Sequence, residues 1–197
     1  MIENFNEWRN KYDTLTFEEQ RLYHNHLEEL YPEQAHYDLA SAKIAFEHVN
    51  PLTVVEAGAW KANLAAIILN ENATIEQWQA IELSTNAINK TLCKDDRFSY
   101  IDINRFDWWN EMQFEQDLFL ATHFIEHLSG EHLTALINAI NTKAVYFEAP
   151  ITNAGEAWND FYGTHKLHFG WDIINSLFTI KGYNVVNITN HCKLYIK

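Results

Sequence analysis

Glycine is scarce, with 6 among 197 residues. No two glycines lie two or five positions apart. That removes the dinucleotide fingerprint G-x-G-x-x-G and the phosphate loop G-x-x-x-x-G-K-[ST] together, and with them an ordinary NAD or ATP enzyme. Cysteine occurs twice, at Cys93 and Cys192. Two thiols make neither a disulfide framework nor a zinc knuckle, so a reducing cytoplasm is the expected home. Basic residues are few: 14 Lys and Arg stand against 27 Asp and Glu, a formal charge of −13. Phosphate backbones are repelled on average by such a chain, so nucleic acid is not an expected partner. Long apolar runs are missing too. The longest, Leu64 to Leu69, is far too short to span a bilayer. The first residues, Met1 to Asn4, have no basic start and no apolar core, so no signal peptide is expected.

Apolar and aromatic residues make up 47% of the chain, enough for one core and one domain over 1–197. Residues 1–50 read as a helical N-terminal extension. Thr16 and Glu19 spell a capping box that opens a helix through Leu30. Phe17, Leu22, Tyr23, Leu27 and Leu30 give it a rough apolar face. A second helix is expected from about Gln34 to Val49, with Leu39, Ala42, Ala45, Phe46 and Val49 at helical spacing. After Pro51 the pattern alternates. Strands are predicted at Thr53–Glu56, Ile75–Ile81, Phe98–Ile101, Asp117–Ala121, Lys143–Glu148, Tyr183–Ile188 and Cys192–Ile196. Helix-sized segments separate the first five. Ser129 stands as an N-cap, and Gly182 follows Trp171–Lys181 where a left-handed residue ends a helix. Alternating β and α units imply a parallel sheet with helices on both faces. The short Thr189–Asn190 connection makes the last pair antiparallel.

In such a sheet ligands bind beyond the carboxyl ends of the strands. The residues there are Glu56 to Ala62, Glu82 and Leu83, Asp102 and Ile103, Thr122 to His127, and Glu148 to Pro150. On these residues the chain resembles the class I S-adenosylmethionine-dependent methyltransferases of small-molecule type, from about Leu52 to Lys197. TVVEAGAW is similar to the family's first strand with its E-x-G, and QAIEL to its second strand ending in an acid. DLFLATHFIEHL is similar to the fourth strand, whose loop ends in Glu-His. KAVYFEAP and YGTHKLHFGWDIINSLFTIKGYNVV resemble the fifth strand and the C-terminal helix-strand unit. The Gly-Thr-His there is similar to ubiquinone-biosynthesis O-methyltransferases. The family's glycine loop is E-x-G-x-G-x-G; here only Gly58 remains, with Trp60 and Ala62 at the next two glycine positions.

The resemblance implies a Rossmann-like seven-strand sheet with its last strand antiparallel. It also implies S-adenosylmethionine as cofactor and a small-molecule acceptor. The scarcity of glycine itself makes Gly58 a candidate for close backbone approach to a ligand. Glu56 would receive the cofactor's amino-acid end, and Trp60 would stand near the sulfonium. Glu82, with Leu83 beside it, would accept the ribose hydroxyls. Asp102 would accept from the adenine amine and Ile103 would touch the ring. The backbone at Thr122 would meet the cofactor at the fourth strand's exit. His123 is the candidate general base, with Glu126 next to it and His165 competing from the C-terminal loop. His127 and His168 are secondary candidates.

Two other readings stay open: a catalytically inactive binding protein of this fold, motivated by Trp60, and a zinc hydrolase. His123, Glu126 and His127 spell H-x-x-E-H, which binds zinc when both histidines share one helical face. The strand predicted just before His123 argues against that face, and no metal site is expected.

Overall fold

A computed structural model describes residues 7–8, 11–32, 37–112, 114–151, 167 and 169–197. Thirteen regular elements follow in order: α1 (Phe17–Leu30), α2 (Leu39–Val49), β1 (Thr53–Ala57), α3 (Asn63–Glu71), β2 (Gln77–Ile81), α4 (Thr85–Asn89), β3 (Phe98–Tyr100), β4 (Leu118–Thr122), α5 (Gly130–Ala139), β5 (Ala144–Glu148), α6 (Trp171–Ile180), β6 (Asn184–Asn187) and β7 (Cys192–Ile196). The seven strands form one sheet in the order β3-β2-β1-β4-β5-β7-β6. The first five pair in parallel, with Thr53 opposite Gln77 and Leu118 opposite Ala144. β7 is inserted antiparallel between β5 and β6, as the short hairpin connection requires.

Alternation along the strands divides the core into two layers. Val55, Ala57, Phe119, Val145 and Phe147 face α5 and α6, where Leu133, Leu136, Trp171, Ile174 and Phe178 are buried. Val54, Trp78, Leu118, Leu120 and Tyr146 face α2 and α3, with Ala45, Phe46, Leu64 and Ile68. The same alternation sends the side chains of Glu56 and Glu148 toward the α2 and α3 side.

The helix starts follow their caps. Thr16 and Glu19 make both halves of the capping box of α1, and Ser129 accepts from the His132 amide at the head of α5. Gly182 takes φ 85° just after α6. α2 is shorter than its apolar pattern suggests. It starts at Leu39 because Asp38 accepts from the Ser41 amide, and residues 33–36 lie outside the described ones. Trp108 and Trp109 lie in a buried 3-10 turn and pack in the core, edge to face at 5.2 Å. Among the described residues no helix is long and apolar enough to cross a membrane.

One expectation for α1 changes. Leu22 and Leu30, read as part of its apolar face, are 52% and 48% exposed. The buried face carries Tyr23 and Leu27 together with Gln20 and Glu28. α1 docks on the sheet's carboxyl edge through polar contacts, which apolar periodicity does not register.

Candidate functional site

The sheet order reverses between β1 and β4, so a crevice opens where the chain leaves these two strands. On one side is the turn after β1. Gly58, Trp60 and Ala62 have φ 74°, 50° and 58°, so every glycine position of an E-x-G-x-G-x-G loop is left-handed here. For Trp60 and Ala62 this costs about 1–2 kcal/mol each, and tertiary contacts hold it. The amides of Gly58 and Ala59 donate to the Ile81 carbonyl. The Trp60 amide donates to Glu82 Oε2 at 2.8 Å, and the Tyr100 hydroxyl donates to the Trp60 carbonyl at 2.8 Å. Gly58 also abuts Phe124: a Cβ there would meet the Phe124 side chain at 3.1 Å. Packing and positive φ therefore both favour glycine at 58. Trp60 joins the cluster of Tyr12, Tyr23 and Leu27, so its ring belongs to the N-terminal layer.

Glu82 is buried at the end of β2. Its Oε1 accepts from the Ser84 amide at 2.7 Å and its Oε2 from Trp60, so it ties the two strand-exit loops together. Burial raises its pKa, and the amides of Ser84, Trp60 and Leu83 oppose that rise. Leu83 is half-buried in the same turn. Glu56 lies 2% exposed under the loop, where Trp78 Nε1 donates to its Oε2 at 3.0 Å. Burial, opposed by the Trp78 bond and aided by the charge of Glu82, pushes its pKa up to about 8. Asp102 is exposed, while Ile103 beside it is buried and its carbonyl accepts from Arg21 Nη2 at 2.8 Å.

Glu56 carries a pH prediction. Its folded pKa lies above the unfolded carboxylate value, so folding loses stability as pH rises from about 4.5 toward 8. Between pH 4.5 and 7 the loss is about 3 kcal/mol at 1.4 kcal/mol per unit. Glu56→Gln retains an acceptor for Trp78 and should abolish this slope. Urea denaturation at both pH values checks it: the variant should gain on wild type at pH 7 relative to pH 4.5, and an unchanged slope contradicts it.

Across the crevice is the exit of β4. Thr122 is buried at the strand end, opposite Glu148 on β5. His123 has φ 49° and its amide donates to the Glu148 carbonyl at 2.8 Å. This left-handed residue is followed by a 3-10 turn, Ile125–His127, so the two histidines do not share one α-helical face. His123 Nδ1 lies 3.1 Å from Glu126 Oε1, and Nε2 lies 3.5 Å from Glu148 Oε1. Burial opposes charge on this imidazole, but the two carboxylates outweigh it and raise its pKa to about 9. Glu126 is 1% exposed; burial would raise its pKa, yet His123 and His127 bring it below the ordinary value. Glu148 is itself anchored, accepting from the Asp38 amide at 2.7 Å and the Tyr146 hydroxyl at 3.1 Å.

The N-terminal layer closes over the β1, β2 and β3 exits. The Tyr12 hydroxyl and His24 Nε2 are 2.6 Å apart, and both rings meet Tyr23 edge to face. Burial and then the charge of His127 bring the His24 pKa down to about 3, so His24 is neutral. Sequence reasoning did not single out Tyr12, His24, Asn25, Glu28 or Glu148 as site residues. Only Glu148, at a strand end, had a positional signal. His165 and His168 lie outside the described residues.

No protein-family model matches this sequence, and no curated protein does. Many solved structures do match. The methyltransferase domain of bacterial CtHen1 is similar with a TM-score of 0.58 at 16% identity, over 81% of this chain and 97% of that one. Human N-acetylserotonin methyltransferase in complex with S-adenosylmethionine gives 0.64 at 9% identity, over 100% of this chain and 59% of the human one. The Burkholderia thailandensis 1,6-didemethyltoxoflavin-N1-methyltransferase, with 1,6-didemethyltoxoflavin and S-adenosylhomocysteine bound, gives 0.56 at 13% identity, over 80% of this chain and 75% of that one.

This is the class I methyltransferase fold. The sheet order, the antiparallel last strand and the N-terminal helix are its hallmarks here. In the methyltransferase fold the crevice between the β1 and β4 exits is where a ligand sits. Of the expected site residues, the structure brings Gly58, Trp60, Glu82, Leu83 and Ile103 to one side of it and Thr122, His123 and Glu126 to the other. Glu56 lies beneath the loop, and Asp102 points outward at the rim.

Proposed function

We propose that this chain is an S-adenosylmethionine-dependent methyltransferase acting on a small-molecule acceptor. The observation that carries this reading is the loop after β1. Its three glycine positions keep left-handed geometry although two of them carry side chains, and the loop is bonded to the acid that ends β2. Strain is retained where a site needs it. Structural neighbours with S-adenosylmethionine or S-adenosylhomocysteine bound support the cofactor assignment.

The residues fit the cofactor. Glu82 has lone pairs left for ribose hydroxyls beyond the backbone amides it accepts from. In this reading Ile103 would lie beside the base, and Glu56 beneath the loop at the amino-acid end. When bound, the cofactor supplies an electrophilic methyl on a sulfonium. The chain's residues hold the acceptor in line and take its proton. His123 is the proton acceptor in this reading. Glu126 Oε1 fixes the ring through Nδ1, and Nε2, which also faces Glu148 Oε1, is the nitrogen that would take the acceptor's proton. With the cofactor bound, His123 Nε2 would take the proton that the acceptor oxygen or nitrogen gives up on methylation. At pH 7 His123 rests as imidazolium, so turnover should rise with pH toward about 9.

Calorimetric titration with S-adenosylhomocysteine tests the cofactor assignment. One site per chain is expected. Glu82→Ala should weaken it by about 1–3 kcal/mol, the usual cost of losing a charged acceptor. Unchanged affinity in a folded variant removes Glu82 from the site, and no binding by wild type overturns the proposal.

A further inference from the structure

α1 grips the strand-exit loops through three polar side chains on one helical face, Arg21, Asn25 and Glu28, spaced i, i+4 and i+7. Arg21 donates to the Ile103 carbonyl after β3 at 2.8 Å. Asn25 Oδ1 accepts from the Ser84 hydroxyl at 2.9 Å, the Thr85 hydroxyl at 3.2 Å and the Asn86 amide at 3.0 Å; its Nδ2 donates to the Thr85 hydroxyl at 2.9 Å. Glu28, fully buried, pairs with Lys61 in the β1 loop at 2.7 Å and with Lys90 just after α4 at 2.5 Å. Each contact crosses more than thirty positions of sequence and ends within two residues of a candidate cofactor contact, save Asn86 and Lys90 on the α4 side. Two of the loops so gripped, those after β1 and β2, are the ones Glu82 bridges through Trp60 and Ser84.

We propose that Arg21, Asn25 and Glu28 are positioning residues that preform the adenosine end of the cofactor site. This rests on the methyltransferase reading above. Asn25 sets the Ser84–Asn86 turn, and with it the direction of the Glu82 carboxylate, whose Oε1 is bonded to the Ser84 amide. Arg21 sets the height of Ile103, the surface offered to the base. Glu28 fixes Lys61 and so the neighbouring Trp60 amide, the donor to Glu82 Oε2. None of the three needs to touch the cofactor. Their effect is to remove the ordering cost that a loose pair of loops would charge to binding.

The test is calorimetry on the full chain with two probes, S-adenosylhomocysteine and 5′-methylthioadenosine, which shares the adenosine but lacks the amino-acid end. Asn25→Ala should weaken both by the same factor, about 10-fold, since one or two hydrogen bonds of ordering are lost. Asn25→Asp keeps the Oδ1 acceptor and should bind both within about 3-fold of wild type. Thr85→Val removes the hydroxyl from the other side of the contact. It should reproduce part of the loss, which keeps the test decisive if Asn25→Ala fails to fold. Amide exchange at 84–87 without ligand should quicken in both weakened variants. Wild-type affinity for both probes in folded Asn25→Ala or Thr85→Val overturns the proposal. So does a loss confined to S-adenosylhomocysteine. No binding of either probe by wild type overturns the methyltransferase reading and this proposal with it.

Discussion

Replacing His123 by asparagine is expected to lower turnover by about 10²–10⁴-fold, the span of general acid–base help. Cofactor affinity should change little, because only the backbone at 122–123 faces the cofactor in this reading. The distinctive signature is in the pH profile. His123 lies between two carboxylates, with Glu126 Oε1 at 3.1 Å and Glu148 Oε1 at 3.5 Å, and its pKa is raised to about 9. Wild-type kcat/KM should climb through neutral pH with its inflection near 9, and the asparagine variant should lose that limb. Glu126→Gln weakens the charged bond and should shift the limb to lower pH. A wild-type profile with its inflection near 6.5 would deny His123 the role. Full activity in the variant would pass the proton to another group, His165 being the candidate from the sequence.

The largest stability loss is expected from Glu28→Ala. Its carboxylate is fully buried, and Lys61 is only 11% exposed, so removing the acid leaves a mostly buried lysine charge with the Pro32 carbonyl as its remaining partner. Breaking such a buried pair costs about 3–5 kcal/mol. The Lys90 pair adds little, because Lys90 is half exposed. Burial alone would raise the Glu28 pKa, but the two lysines bring it below the ordinary value. Its contribution is therefore full above the unfolded carboxylate pKa and fades as pH falls through the folded one. Denaturant unfolding at pH 7 should show most of the loss, and the difference from wild type should shrink in acid. A change under 1 kcal/mol at pH 7 would contradict the buried-pair account.

How much of this was legible depends on the range of the interactions. The parallel core and the antiparallel last strand were readable because β-α alternation and the short Thr189–Asn190 turn are local signals, and the observed pairing follows them. Caps at Thr16 and Ser129 were readable for the same reason. Strand edges slipped by a residue or two where polar ends mislead. Asp117 was read as the start of a strand, but it anchors the neighbouring one by accepting from the amides of Leu52 and Thr53. The polar docking face of α1 was invisible, because Asn25 and Ser84 are 59 positions apart and no periodicity links them. Charge at His123 was equally hidden: its second carboxylate, Glu148, comes from the next strand. Trp60 looked out of place in a glycine loop. In the fold its backbone keeps the left-handed turn and its ring packs into the N-terminal layer.

Amide hydrogen exchange with and without S-adenosylhomocysteine tests the central claim most directly. Protection on binding is expected at 58–62, 82–86, 101–103 and 122–124, the exits of β1 to β4, with none at the β6–β7 turn around Asn190. No protection anywhere would contradict a cofactor site in this chain. Protection confined to the far cavity lined by Trp109, Met112, Phe114 and Ala135 would place the ligand at the wrong end of the sheet.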